Sequence, residues 1–329
     1  MKVSSYHEKS IMISIIIPCK TIDSDTERCV KDCLKQTHSN YEIIILPDYD
    51  NNATRFSSEK IRIIPTGSHK PLRKRLIGCS VANGDLYAFI DSDAFPDPEW
   101  LSNSIVHFNK SEIAAVSGPS LTPETNDYRE RASGLLQASP FGSASESIRY
   151  KQNQRSFYVE ETPTCNLVIR KTVLDSIKKL VPDIWPGEEI VLCGLIVKSL
   201  GRKIIHDPKV LVYHHRRPLF IPYLKQIWNY GLVKGYLLKS HQKYVRKLFM
   251  LPSLLVLIAS FELILGFFNP LMRIVLFFSI MTYLSIIFTG SLYISLKGRE
   301  PKMMLLFFTG IILTHLIYGL AFIKGLFSL

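Results

Sequence analysis

Two periodicities divide this chain. As far as about residue 248, apolar runs of four or five residues alternate with stretches whose apolar positions recur at helical spacing. The β-branched runs are Ile13–Ile17, Glu42–Leu46, Ile61–Ile64, Leu86–Ile90 and Ile113–Ser117. Helical spacing falls between several of them, at Glu27–Gln36, Leu72–Ala82 and Pro98–Phe108. Near-continuous apolar strands separated by helices predict an α/β domain with a mainly parallel sheet covered on both faces. Beyond residue 248 the pattern changes. Phe249–Phe268, Leu271–Ile294 and Met303–Ile323 each run for 20 to 24 residues almost without charge. A helix needs about 20 residues to cross the hydrocarbon core of a bilayer, so three membrane spans are predicted.

Charge adds a topology. The 329 residues carry 40 Lys+Arg against 28 Asp+Glu, a net charge of +12. Residues 249–329 hold only five of the basic and two of the acidic residues, which leaves the preceding part at +9, ordinary for a soluble domain. From Lys209 to Phe261, nine basic residues and no acidic one lead into the first span. A second basic cluster, Lys297-Gly298-Arg299-Glu300-Pro301-Lys302, separates the second and third spans. The positive-inside rule places both clusters in the cytosol and the C-terminus on the opposite side. The expected organisation is a cytosolic domain over 1–217, a basic amphipathic segment over 218–248 lying against anionic lipid, and a membrane domain over 249–329. Glu262 in the first span is expected to face another helix or a headgroup.

Other classes drop out. Ile13–Ile17 is too short for a signal-peptide core, and Pro18 interrupts it. The six cysteines form no CxxC pair and read as reduced thiols. No nucleic-acid motif accompanies the basic charge, which abuts the spans, so nucleic acid is not an expected partner. Neither G-x-G-x-x-G nor a P-loop follows any strand, which argues against dinucleotide and P-loop chemistry. The sequons at Asn52 and Asn109 fall in the cytosolic part and carry no expectation of glycosylation.

The most informative segment runs from Asn83 to Trp100. A hydrophobic strand ends in Asp91-Ser92-Asp93, and a Pro-containing turn then opens a helix. Two carboxylates at the exposed end of a strand can hold a hard divalent cation through oxygen. Such a cation, Mg or Mn, would neutralise a diphosphate and ease its departure. An Asp helix cap and a solvated turn would give the same letters.

Here the sequence resembles the family 2 glycosyltransferases of the GT-A fold, from Ile13 to about Gly235. Ile13-Ser-Ile-Ile-Ile-Pro18 is similar to that family's first strand. Asp32-x-x-x-Gln36 followed by Glu42-Ile-Ile-Ile resembles its first helix-to-strand passage, with Asp32 in place of Ser. The resemblance puts Asp48 where the family contacts the nucleotide base, although Pro47-Asp48-Tyr49-Asp50 departs from the usual Asp-Asp-Gly-Ser. Arg75, Gly78, Ala82 and Gly84 match the next helix, with Leu76 where the family has Asn. The family pattern implies that Pro18, Asp48, Arg75, Asp91 and Ser92 line the nucleotide-sugar site, and that Asp91, Asp93 and His214 bind metal.

The same resemblance covers the second half. Cys165-Asn166-Leu-Val-Ile-Arg170 looks like the acceptor-side strand, and Trp185-Pro-Gly187-Glu188-Glu189 resembles the Gly-Glu-Asp motif that carries the catalytic base. Glu189 is the implied base and Glu188 the alternative. An acidic first turn of an ordinary helix reads identically. Asn166, Trp185 and Gln226 are implied on the acceptor side. Gln226-x-Trp228-Asn229-Tyr230 lacks the Arg and Trp of the processive synthases, which implies transfer of a single sugar.

The function implied is an inverting, metal-dependent glycosyltransferase of polysaccharide or glycolipid biosynthesis. It would move a sugar from a nucleotide-sugar donor to a lipid-linked or membrane glycan. Transfer to a polyprenyl phosphate, and a non-catalytic membrane-anchored sugar-nucleotide-binding or scaffold subunit, remain the alternatives.

Overall fold

A computed structural model describes residues 11–49 and 56–328. Asp50 and the Asn52 sequon lie outside the described residues. The strands in chain order are β1 (Ile13–Pro18), β2 (Tyr41–Leu46), β3 (Ile61–Ile63), β4 (Leu86–Ile90), β5 (Ala94–Pro96), β6 (Ile113–Ser117), β7 (Ser120–Leu121), β8 (Phe157–Val159), β9 (Asn166–Arg170), β10 (Lys203–His206) and β11 (Val212–His214). The helices are α1 (Ser24–Cys33), α2 (Pro71–Val81), α3 (Trp100–Ile105), α4 (Tyr128–Gln137), α5 (Pro140–Ser143), α6 (Lys171–Ile177), α7 (Glu188–Gly194), α8 (Ile221–Ser240), α9 (Leu251–Phe268), α10 (Pro270–Lys297) and α11 (Met304–Phe327).

The chain forms two compact units. The first contains residues up to Leu121 together with Lys151–His215. Its main sheet has eight strands in the order β3-β2-β1-β4-β9-β6-β10-β8. β1 to β4 are parallel, as are β6 and β10. β9 runs against both β4 and β6, and β8 against β10. The mainly parallel sheet expected from the apolar runs is therefore present. Every residue of β1 and β2 is buried, as the lack of alternation in those runs requires. A second, three-stranded sheet orders β5-β11-β7.

One carboxylate fastens the lower ends of the first strands. Glu42 accepts from Ser14 Oγ at 2.7 Å, from Asn83 N–H at 2.6 Å and from Arg62 at 3.1 Å. Burial alone would raise the Glu42 carboxyl, but these bonds hold it below the usual carboxylate range. All six cysteines are buried and unbridged.

The second unit contains Thr122–Tyr150 and Arg216–Leu329. The expected boundary at 217 puts 122–150 with the N-terminal domain; the structure groups that segment with the C-terminal helices. The reason is an apolar core shared by Ala132 and Leu136 of α4, Leu219, Tyr223 and Ile227 around α8, and Ile287, Ile294, Phe307 and Ile311 of α10 and α11. Such a core joins positions far apart in the chain, beyond the reach of any local pattern. Polar ties add to it: His315 bonds Phe141 O at 2.9 Å, and Tyr128 OH donates to Lys302 O at 3.1 Å.

Three stretches are long and apolar enough to cross a membrane, Lys247–Phe268, Pro270–Lys297 and Pro301–Phe327. They overlap the three predicted spans. The 28 residues of α10 extend about 42 Å at 1.5 Å per residue, longer than a hydrocarbon core of about 30 Å. Glu262 is paired across the α9–α10 hairpin, accepting from Ser279 Oγ at 3.0 Å. It faces a neighbouring helix, as its cost in lipid demands.

Candidate active site

The carboxyl end of β4 delivers Asp91, Ser92 and Asp93, and β5 follows at once. β5 pairs antiparallel with β11 so that His214 lies opposite Ala94. That register brings His214 to Asp93 across 121 residues of sequence, with Nε2 to Oδ1 at 3.0 Å. One ligand atom from each of Asp91, Asp93 and His214 falls within 4.8 Å of the others. Two carboxylates and an imidazole are suitable donors for Mn or Mg, with the mixed nitrogen and oxygen set favouring Mn. All three side chains are partly open, at 33%, 25% and 17% exposure. These residues fit a divalent cation.

Asp91 has a second partner. Arg75, on the buried face of α2, donates through one guanidinium nitrogen to Asp91 Oδ1 at 2.5 Å and through the other to Glu188 Oε1 at 3.0 Å. The planar fork of arginine suits this bridging role. It ties the end of β4 to the first turn of α7. Gly187 caps that helix with φ of 109°, a conformation glycine adopts without strain. The acidic pair therefore opens α7, where the helix dipole favours negative charge.

The two glutamates sit in different surroundings. Glu188 is buried, its side chain 3% exposed. Burial and the charge of Glu189 push its carboxyl up to about 7, against the opposing pull of Arg75. Glu189 is only half-buried and accepts from Gly187 N–H at 3.1 Å. Arg75 is itself raised above its ordinary value: burial lowers it, but Asp91 and Glu188 outweigh that.

On the other side of the sheet end, Lys74 is 3% exposed. Its ammonium donates to Cys19 O at 2.5 Å, to Leu46 O at 3.2 Å and to the Asp48 carboxylate. It thus secures the ends of β1 and β2 and fixes the orientation of Asp48. Sequence reading missed this residue. Its signal was available, since Lys74 and Arg75 fall on the same helical stripe as Pro71, Gly78 and Cys79, where a surface lysine has no place. Pro18 ends β1 beside Leu46, buried in the sheet.

The remaining expected residues are dispersed. Asn166 is fully buried, and its amide is spent inside the protein. It accepts from Trp100 Nε1 at 2.9 Å and donates to Pro119 O and Val210 O at 3.1 and 2.9 Å. That makes it a crosslink between strands and loops. Trp185 is exposed, two residues before the α7 cap. Gln226 belongs to the second unit, on α8, where its amide donates to Tyr230 OH at 3.0 Å. Gln36, singled out by motif and lying just beyond α1, donates to Asp97 O at 2.8 Å in the turn after β5 and accepts from Leu101 N–H at 3.0 Å in α3.

Residues 14–177 match the profile of the family described as Glycosyl transferase family 2. The chain is 22% identical over 331 aligned positions to a Methanococcus voltae protein, covering 95% of this chain and 97% of that one. That relative is the dolichyl N-acetyl-alpha-D-glucosaminyl phosphate 3-beta-D-2,3-diacetamido-2,3-dideoxy-beta-D-glucuronosyltransferase. A pre-mycofactocin glycosyltransferase of Mycobacterium tuberculosis is 23% identical over 166 residues, which is 50% of this chain and 34% of the relative. The crystal structure of GalNAc-T7 with UDP, GalNAc and Mn2+ superposes with a TM-score of 0.50 at 14% identity, over 70% of this chain and 50% of that one. At that identity the likeness is one of fold.

Proposed function

The chain belongs to glycosyl transferase family 2, and from that premise we propose that it moves one sugar from a nucleotide-sugar donor, with inversion, to a hydroxyl of a sugar carried on a lipid phosphate. The observation that carries this reading is the end-to-end match, apolar helices included, to a relative named for a dolichyl-linked N-acetylglucosaminyl phosphate. The three apolar helices suit an acceptor that resides in a membrane. The positive-inside rule supports a cytosolic transferase unit and a C-terminus on the opposite side.

In this reading Asp91, Asp93 and His214 hold a divalent cation. When bound, it supplies positive charge to the donor diphosphate, making the nucleoside diphosphate a better leaving group. Arg75 orients Asp91 from behind, and Lys74 orients Asp48 toward the nucleotide. Glu189, the more accessible glutamate, takes the proton of the acceptor hydroxyl. The acceptor oxygen then forms its bond to the anomeric carbon as the bond to the diphosphate oxygen breaks on the opposite face. Glu188 is a positioning residue that acts through Arg75.

The test is transfer by the detergent-purified protein, from a panel of nucleotide sugars to a polyprenyl-linked N-acetylglucosaminyl phosphate. Product is expected with Mn or Mg and lost in excess EDTA. Transfer unaffected by EDTA would remove the metal from the mechanism. Glycosylation of bare polyprenyl phosphate, with none of the sugar hydroxyl, would overturn the acceptor.

A further inference from the structure

Helix α8 carries two different faces. Tyr223, Ile227, Gly231 and Gly235 pack it against α11. Tyr223 OH meets Thr314 Oγ1 at 3.2 Å, and the two glycines sit against the backbone of Tyr318 and Phe322. A side chain at either glycine would strike a carbonyl, so the helices touch backbone to backbone, as small-xxx-small pairs do in membranes. The adjoining stripe is Ile221, Leu224, Lys225, Trp228 and Asn229, spaced i, i+3, i+4, i+7 and i+8. With Ile317 of α11 it lines an open groove of about 400 Å³. Lys324 lies over the Trp228 ring at 5.6 Å from its centroid.

We infer that this groove binds the phosphate and first apolar segment of the lipid that carries the acceptor. The inference rests on the proposed lipid-linked acceptor and names the part of the protein that recognises its lipid end. Charge complementarity argues for the occupant. Ile221 and Leu224 of α8 and Ile317 of α11 supply an apolar wall, and α11 is long and apolar enough to span a membrane. Lys225 and Asn229 interrupt that wall on one side, and Lys324 adds a second cation nearby. Lys225 is exposed, where an ammonium attracts anionic headgroups, and a phosphate meets it with a charge-assisted hydrogen bond. A lipid without an anionic group offers Lys225 no such contact. A free nucleotide gains nothing from the apolar wall.

The experiment is photolabelling of the full chain in phosphatidylcholine nanodiscs, with a diazirine-tailed polyprenyl phosphate as probe. Label is expected on the peptides that carry Trp228 and Ile317, displaced by unlabelled polyprenyl phosphate and not by phosphatidylglycerol. Lys225→Glu removes the charge complement and Ile317→Trp fills the groove. Each is expected to cut labelling about ten-fold or more, Lys225→Glu by the size of one charge-assisted contact and Ile317→Trp by occupying the space. Equal displacement by phosphatidylglycerol would make the groove a general anionic-lipid site and overturn the inference. Labelling unchanged in both variants, or found elsewhere, would also overturn it. The readout needs no sugar transfer, so it fails separately from the proposed function. Groove-specific labelling without transfer to any lipid-linked sugar would sustain the groove while removing the proposed acceptor.

Discussion

Glu188 and Glu189 are neighbours in sequence, but one is buried and the other half-buried, and the proposed function gives them different roles. For Glu189 the expected outcome of substitution by Gln is a fall in turnover of about 10²–10⁴, the usual loss of a general base. Donor affinity should survive, which steady-state kinetics and nucleotide-sugar binding can check separately. For Glu188 the prediction concerns pH. Its carboxyl stands at about 7 in the folded protein, above the ordinary value near 4.3 of an unfolded chain. The folded state therefore holds that proton more tightly, so the stability it contributes is complete below about pH 4 and lost as pH rises through about 7. Thermal unfolding followed from pH 4 to 8 should show a wild-type decline worth at most about 4 kcal/mol. That decline flattens in Glu188→Gln, and an equal slope in both proteins would refute the assignment. Lys74→Met should lose about 3–5 kcal/mol by stranding the Asp48 carboxylate, read as a lower unfolding midpoint. The two glutamates were legible as a motif, whereas the burial that separates them was not, because burial depends on Arg75 arriving from 113 residues away.

Among elements, β4 and its Asp-x-Asp end are set locally, and β11 is not. A three-residue strand has too few positions to declare a period, yet it carries His214 to Asp93. β9, five residues long, is named as a strand only by the family resemblance, and the structure buries it between two antiparallel neighbours. Helices show the converse. α8 reads from sequence as a basic amphipathic segment against anionic lipid, and its glycines reveal a packing face against α11 that composition hides. Gly235→Val should therefore push α8 off α11. The expected outcome is a clear drop in thermal stability of the detergent-solubilised protein. The same substitution at exposed Lys239, one turn on, should change the midpoint far less.

At the scale of the whole molecule, the basic clusters predict sidedness. Single cysteines placed in the Lys297–Lys302 loop should label from the same side as the N-terminal unit. A cysteine placed after Lys324 should label only from the other side. Labelling of both from one side would mean that one of the three apolar helices does not cross. The native cysteines are buried, so they leave little background in intact membranes.

What the sequence determined by itself is what local physics encodes. Buried parallel strands appear as unbroken β-branched runs, helices of membrane-spanning length as long charge-free stretches, and the candidate cation site's strand end as two carboxylates after an apolar run. Each signal is written within about twenty residues, because helix, strand and bilayer thickness all act over that range. Tertiary structure alone decided the pairing of Arg75 with both Asp91 and Glu188, and the register that sets His214 on Asp93. It also withdrew Asn166 into a fully satisfied interior site and assigned 122–150 to the helical unit. All of these join groups separated by 44 residues or more, except the Arg75–Asp91 bond across 16. Such contacts are selected by the closing of the sheet and the packing of apolar faces, energies that no local stretch of sequence contains.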